Sequence, residues 1–444
     1  MSSPRTGAAR VLGALAAIVL AAYLALVAVA AFPHQVTADF YQFWGIAAAH
    51  QASSIEATPY SDPEAYARVL NAMADASASE KLPGANGLRH ELDPTGTPLF
   101  YATFTFFPRD YDTAQALFVV LLHACALAAT FAIARLRGFG TIASICIAAG
   151  VGLVFTPFIV DVKVGNVNSL QLACIAAWLA LASRRIPERR RLEIIAVGLL
   201  AVFVAYKPNT LLIAAGFATW YFLVARRSDF RIAAILAAAL ALTSWAVGAW
   251  YFGDASAWSE WMRYARRLAG VDPSIVFESG NQSLAMWLAR HARSQAPGMF
   301  GLAIGFALAV AVIVAAAGPK REPARALAAL RAAFADPFFA TSFAVLLTFA
   351  MSPIVWIHYL VFALVPMLWL ARGHGRIATI GAVIAFVAMA RPTIDLLGAA
   401  GLARLIEPIT LLSWLALVPG MLAFVSRSSK LCAISSRSPG DQWQ

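Results

Sequence analysis

One carboxylate in this sequence stands where a carboxylate can do chemistry beside a membrane. Asp39 occurs in HQVTADFYQFWG, seven residues after an apolar stretch that runs from Val11 to Phe32. A carboxylate so placed meets water and also anything lodged at the lipid interface, and it can take a proton from a hydroxyl. Asp is equally a common helix N-cap, and capping a helix that begins at Phe40 accounts for the same residue.

Other polar groups interrupt the apolar pattern. VDVKVGNVNSLQ gathers Asp161, Lys163, Gly165, Asn166 and Asn168 into one turn. They read as a polar turn with an Asn cap, or as a site whose amides and lysine contact an acceptor hydroxyl or a phosphate. Lys207, followed by Pro208 and Asn209, sits between two apolar runs, either snorkelling to the interface or pairing with a lipid phosphate. Arg263, Arg266 and Arg267 alternate with Trp261 and Tyr264, a pattern suited to lipid headgroups in general or to one particular phosphate. Gln282 lies inside the sequon Asn281-Gln282-Ser283, and His358 inside MSPIVWIHYL, where a buried histidine with one partner is the plain alternative to a functional one. There is no phosphate-binding Gly-rich loop, His-Glu-x-x-His or Gly-x-Ser-x-Gly. Cys125, Cys146, Cys174 and Cys432 show no metal-ligand spacing, so neither a disulfide framework nor a zinc site is expected.

The elements that must position these groups follow from composition. The 444 residues are 61% hydrophobic and 13% charged, against roughly 25% charged in soluble domains, which excludes a soluble fold. Twelve apolar segments predict an all-α integral-membrane bundle. They lie near 11–32, 112–134, 141–158, 167–183, 194–206, 209–225, 232–252, 299–317, 337–351, 359–371, 377–390 and 405–425. The segments 194–206 and 359–371 are short, with Pro208 and Pro366 as points of kinking. No Gly-x-x-x-Gly face stands out in these segments.

The majority of the 34 Lys and Arg residues fall on one set of short loops, which places both termini in the cytoplasm and the long loops 33–111 and 253–298 outside. The formal net charge of +11 is explained by that bias rather than by nucleic acid. Within the outer loops, 40–50 and 64–74 have helical spacing and read as short amphipathic helices at the interface. The stretch 98–108, bounded by prolines, reads as re-entrant or interfacial. Residues 319–336 form a basic amphipathic stretch for the inner surface, and 427–444 a polar cytoplasmic tail after a single membrane domain, 1–426. The absence of ionisable chains inside the apolar segments argues against a proton-coupled transporter.

Taken in order, ADFYQFWGIA, the Pro-Leu-Phe-Tyr segment, GNVNSLQL, AYKPNTLLI, GNQSL and SPIVWIHYLVFALVP resemble glycosyltransferase family 87, which includes the domain of unknown function 2029. The likeness runs from about Asp39 to Pro366. Thr97-Pro98 stands where the family commonly has two prolines, and Tyr359 follows His358 where it commonly has a polar residue or second His. The resemblance implies a glycosyltransferase C type fold in the plasma (inner) membrane, with its active site on the outer, periplasmic face. The implied reaction moves a hexose, mannose by default, from a polyprenyl-phosphate donor to a glycolipid or glycan acceptor.

It further implies Asp39 as general base and His358 as first candidate to hold the departing phosphate. Lys207 follows, then the Arg263, Arg266 and Arg267 group; Asn166, Asn168 and Gln282 are expected substrate contacts. No nucleotide, metal or other cofactor is expected. A lipid-linked sugar flippase and a membrane scaffold are the rival readings, and a flippase has no need of the Asp39 base.

Overall fold

The computed structural model describes Ile18 and residues 37–52, 55, 57–77, 81–88, 92, 94–183, 190–270, 281–294, 296–318 and 322–435. The expected first span lies outside these residues except for Ile18. Among the described residues every regular element is helical, and strand-like pairing is confined to isolated bridge residues, among them the antiparallel pair Asn281 and Trp356.

Four helices are long and apolar enough to cross a bilayer: Tyr111–Leu136, Arg227–Phe252, Pro297–Ala317 and the broken helix Ile406–Lys430. A fifth arises if Pro323–Phe334 and Pro337–Met351, which meet at a 96° bend, count as one span. Five other apolar segments form shorter helices: Thr141–Val154, Asn168–Ser183, Pro208–Val224, Ile357–Leu370 and Arg376–Ala388. The chain is thus a multi-pass membrane protein. The segment 194–206 is interrupted, with Arg190–Gly198 and Leu200–Tyr206 ending where Pro208 opens a 3-10 turn; the proline has no N–H to continue the ladder. Residues 357–370 begin as 3-10 helix and become α-helical at Leu364.

The chain divides into two compact units. The first comprises Met1–Trp178, Gly198–Pro208 and Ile235–Asp272. At its centre lies the helix Ala38–Ala52, packed against Pro63–Asp75, Lys81–Leu88, Pro98–Phe104 and Thr156–Val164. The expected interfacial amphipathic helix is here a core helix, with Phe40 to Ala47 and Ala49 all buried. Apolar residues on every side of it, rather than on one stripe, have no other place to go. Phe40 stacks on Phe118 with ring centroids 4.7 Å apart, and Phe43 meets Phe100 edge-on at 4.6 Å. Pro63–Asp75 keeps the expected stripe, burying Tyr66, Leu70 and Ala74 at helical intervals. Pro98–Phe104 is capped by Thr97, whose hydroxyl accepts the Phe100 N–H at 3.1 Å, and it too is almost entirely buried.

The second unit comprises Leu179–Val197, Asn209–Ala234 and Pro273–Gln444. A Gly-x-x-x-Gly face does exist here, contrary to the sequence reading. A Cβ on Gly301 would lie 2.6 Å from the Met351 carbonyl oxygen, and one on Gly305 would lie 2.7 Å from the Met351 side chain. Small residues let the two helices approach at backbone distance. Pro323–Phe334 buries Ala326, Ala329 and Ala333, the single stripe expected of an amphipathic helix. The polar tail expected from 427 continues as helix to Ser435.

Candidate active site

The residues from Asp161 to Ser169 form a helix–turn–helix hinge. Thr156–Val164 ends at Gly165 in the left-handed region (φ 72°), whose N–H returns to the Asp161 carbonyl at 3.0 Å. Only glycine suits this position twice over. Its φ is costly for an L side chain, and an added Cβ would lie 2.6 Å from the Phe40 Cβ and 2.9 Å from that of Thr37. The bare backbone lets the hinge lie against the first turn of the Asp39 helix. Gly165→Ala should therefore destabilise the first unit by about 1–3 kcal/mol, through left-handed strain and overpacking. A fluorescence melt in detergent would read it, and an unchanged midpoint would show that the two segments are not in close contact.

The helix carrying Asp39 begins at Ala38, two residues earlier than its expected start at Phe40. Asp39 therefore lies inside the first turn rather than at a cap before it, where a negative charge still favours the helix dipole. Its half-buried carboxylate accepts the Asn166 amide N–H at 2.7 Å on Oδ2.

The direction of the Asn166 amide is dictated by its other end. Oδ1 accepts the Val167 backbone N–H at 2.8 Å, the Lys207 ammonium, and the Asn168 amide at 3.3 Å. All are donors, so a flipped amide would set N–H against N–H, and Nδ2 is left to face Asp39. Asn168 and Ser169, at the start of the next helix, are secured by Asp161. That fully buried carboxylate accepts the Asn168 amide at 2.9 Å, the Ser169 N–H at 2.9 Å and the Ser169 hydroxyl at 2.6 Å. Burial pushes the Asp161 carboxyl above its ordinary range, opposed by these hydrogen bonds and by the Lys207 charge.

Lys207 ends the helix Leu200–Tyr206 and is half-buried. Loss of water draws its ammonium below the usual lysine value, while the charges of Asp39 and Asp161 hold it up. Its position is tied to the neighbouring helix by Thr97, whose hydroxyl donates to the Tyr206 carbonyl at 3.2 Å. Four expected site residues, Asp39, Asn166, Asn168 and Lys207, thus form one network within the first unit.

Arg263, Arg266 and Arg267 all lie exposed on the amphipathic helix Ala257–Gly270. Arg263 and Arg267, one turn apart, line a cavity of about 210 Å³ with Tyr60, Ser61, Glu260 and Tyr264; Arg266 does not line it.

In the second unit the motifs around Gln282 and His358 are bonded to each other. Asn281 Oδ1 accepts the N–H groups of Ser283 (3.0 Å) and Val355 (2.9 Å), its amide donates to the Pro353 carbonyl at 2.9 Å, and Ser283 donates to the Ser352 carbonyl at 2.6 Å. Asn281 is 1% exposed, so the sequon marks a structural asparagine and not a surface acceptor. Gln282 Oε1 accepts the Thr410 hydroxyl at 2.8 Å. His358 is buried in the 3-10 helix Ile357–Ala363, edge-on to Tyr359 at 4.9 Å.

Asp161 entered the sequence reading only as a member of a turn read either as structural or as a substrate contact, and Ser169 was not singled out. Their signal was the spacing itself: a helix-terminal Asp, an αL glycine four residues on, and a new helix opening with Asn-Ser. Glu260 and Tyr60 gave no signal, because a cavity wall built from segments two hundred residues apart leaves no local pattern.

Helical spans alternating with buried polar hinges define the class, a polytopic membrane protein whose interior carries a carboxylate and an amide network. The model of glycosyltransferase family 87 matches residues 93–342, more than half of the chain, and the chain belongs to that family. It is accordingly a glycosyltransferase. The matched segment contains Asn166, Asn168, Lys207, the three arginines and Gln282; Asp39 precedes it and His358 follows it. No curated protein and no solved structure matches the chain.

Proposed function

We propose that this glycosyltransferase moves a hexose, mannose by family likeness, from polyprenyl phosphate to a hydroxyl of an envelope glycolipid or glycan on the outer membrane face. The observation that carries this reading is the Asp39 carboxylate held by an amide that cannot turn around. A polyprenyl phosphate is a good leaving group without protonation, so the paired carboxylates of glycoside hydrolysis are not needed and one base is sufficient. The acceptor oxygen attacks the anomeric carbon while its proton passes to Asp39. The bond from that carbon to the phosphate oxygen breaks, and polyprenyl phosphate leaves with the electron pair. One displacement inverts the anomeric centre.

A well-placed donor near the departing phosphate would lower the barrier by roughly 3–4 kcal/mol, and His358 is the residue that family likeness offers for it. Lys207 suits that task less well, since its charge is already drawn on by those of Asp39 and Asp161. The reading is tested with membranes carrying the chain, offered a panel of labelled polyprenyl-phosphate sugars. Transfer from at least one, with inverted product, is the expected result. Movement of donor across the bilayer without transfer would replace it by the flippase reading. Reporter fusions at 60 and 188 should lie outside and inside respectively, and the reverse would put Asp39 on the wrong face for this donor.

A further inference from the structure

The cavity beside the amphipathic helix Ala257–Gly270 has no part in the base network. Its walls combine groups of both signs. Glu260 accepts the Thr58 hydroxyl on one oxygen and the Ser256 hydroxyl, at 3.0 Å, on the other. Arg263 approaches Glu260 to 3.9 Å, and Arg267 follows one helical turn later. Ser61 adds a hydroxyl that also donates to the Thr58 carbonyl at 3.1 Å. Tyr60 and Tyr264 bring rings whose centroids are 6.5 Å apart.

An inorganic anion would suit the arginines but would face the Glu260 carboxylate, and it would fill little of the roughly 210 Å³. A pyranose ring fits the whole inventory. Its hydroxyls both donate, to Glu260, and accept, from the two guanidiniums, and its C–H faces pack on tyrosine rings. At about 210 Å³ the space is below that of pockets for drug-sized ligands and suits a single small ring.

The cavity shares none of the bonds to Asp39, yet its wall is tied to the segment that carries Lys207. Tyr60 donates its hydroxyl to the Gly96 carbonyl at 2.8 Å, and the adjoining Thr97 reaches the carbonyl of Tyr206, the residue before Lys207. We infer that this cavity is the acceptor subsite, holding one neutral pyranose unit of the glycan that receives the new sugar. The inference rests on the transferase reading above, since an acceptor glycan is what such an enzyme must hold besides its donor.

The experiment measures binding and transfer separately, on protein in nanodiscs. Saturation-transfer NMR with the methyl glycosides of mannose, glucose and galactose should show contact of at least one with the wild-type chain. Arg267→Ala and Tyr264→Ala should weaken that contact at least about tenfold, whereas Arg266→Ala, whose side chain lies off the cavity, should not. In the transfer assay the same two variants should raise the acceptor KM about tenfold while the donor KM and kcat stay within about twofold.

Equal binding by wild type and the cavity variants, no binding of any glycoside, or occupation of the cavity by inorganic phosphate in place of sugar would each overturn the assignment. Asp39→Asn separates this from the mechanism. If that variant still transfers sugar, the base reading fails while the binding result stands unaltered.

Discussion

Asp39→Asn should abolish sugar transfer to within background, a loss of about a hundredfold to ten-thousandfold, while the chain still inserts and accumulates normally. The substitution is chosen because it removes basicity and little else. An asparagine side chain keeps the size of aspartate and retains a carbonyl oxygen to accept the Asn166 amide, which lies 2.7 Å from Asp39 Oδ2. The aromatic packing of Phe40, one residue on, is untouched. Initial rates with a labelled polyprenyl-phosphate sugar, normalised to protein by a C-terminal tag, give the number. Transfer at wild-type rate would remove Asp39 as the base, and with it the single-displacement mechanism proposed here. Asp39→Glu is a useful companion, since an added methylene displaces the carboxylate from Asn166 and should recover little of the rate, geometry being as demanding as acidity in proton transfer.

What could be read in advance divides along physical lines. Helical class and membrane setting were legible because they rest on composition and apolar run length, which need no tertiary information. Helix continuity was less so. Pro208 was legible as a break because proline lacks a donor, but the Ala38–Ala52 helix was misjudged as interfacial. Its burial on all sides depends on four other helices arriving around it, which only the folded chain displays. The same holds for Gly301 and Gly305. Their spacing was present in the sequence, yet its use became visible only with Met351 packed against it.

The site divides in the same way. Asn166, Asn168 and Lys207 were picked out as polar residues between apolar runs, and they do lie together with Asp39. Their expected roles as substrate contacts say nothing of the internal bonds they make. Composition reveals that a polar group is out of place, whereas its bonding partner, 127 residues away for Asn166 and Asp39, is a property of the fold. A buried amide whose every atom meets a protein partner is more economically a positioning device than a ligand contact.

That distinction can be measured through Asn166 and Lys207 together. If Asn166 positions the base, Asn166→Ala should lower kcat roughly ten- to hundredfold, the loss of one hydrogen bond to a charged group, with donor and acceptor KM nearly unchanged. Lys207→Met should have an effect of similar size, because the ammonium is one of the donors that stop the Asn166 amide from turning. The decisive quantity is the double variant. Two residues acting through one contact are not additive, so Asn166→Ala with Lys207→Met should be no slower than the worse single change. A lysine that instead grips the donor phosphate would multiply with Asn166→Ala and raise the donor KM, because it would contact a different molecule. Kinetics of the four proteins at saturating acceptor decide between the two, and Asn166→Gln, whose longer arm cannot serve Asp39 and Val167 from the same backbone, should not rescue kcat. A strictly multiplicative cycle would return Lys207 to the substrate and leave Asp39 held by Asn166 without its charge.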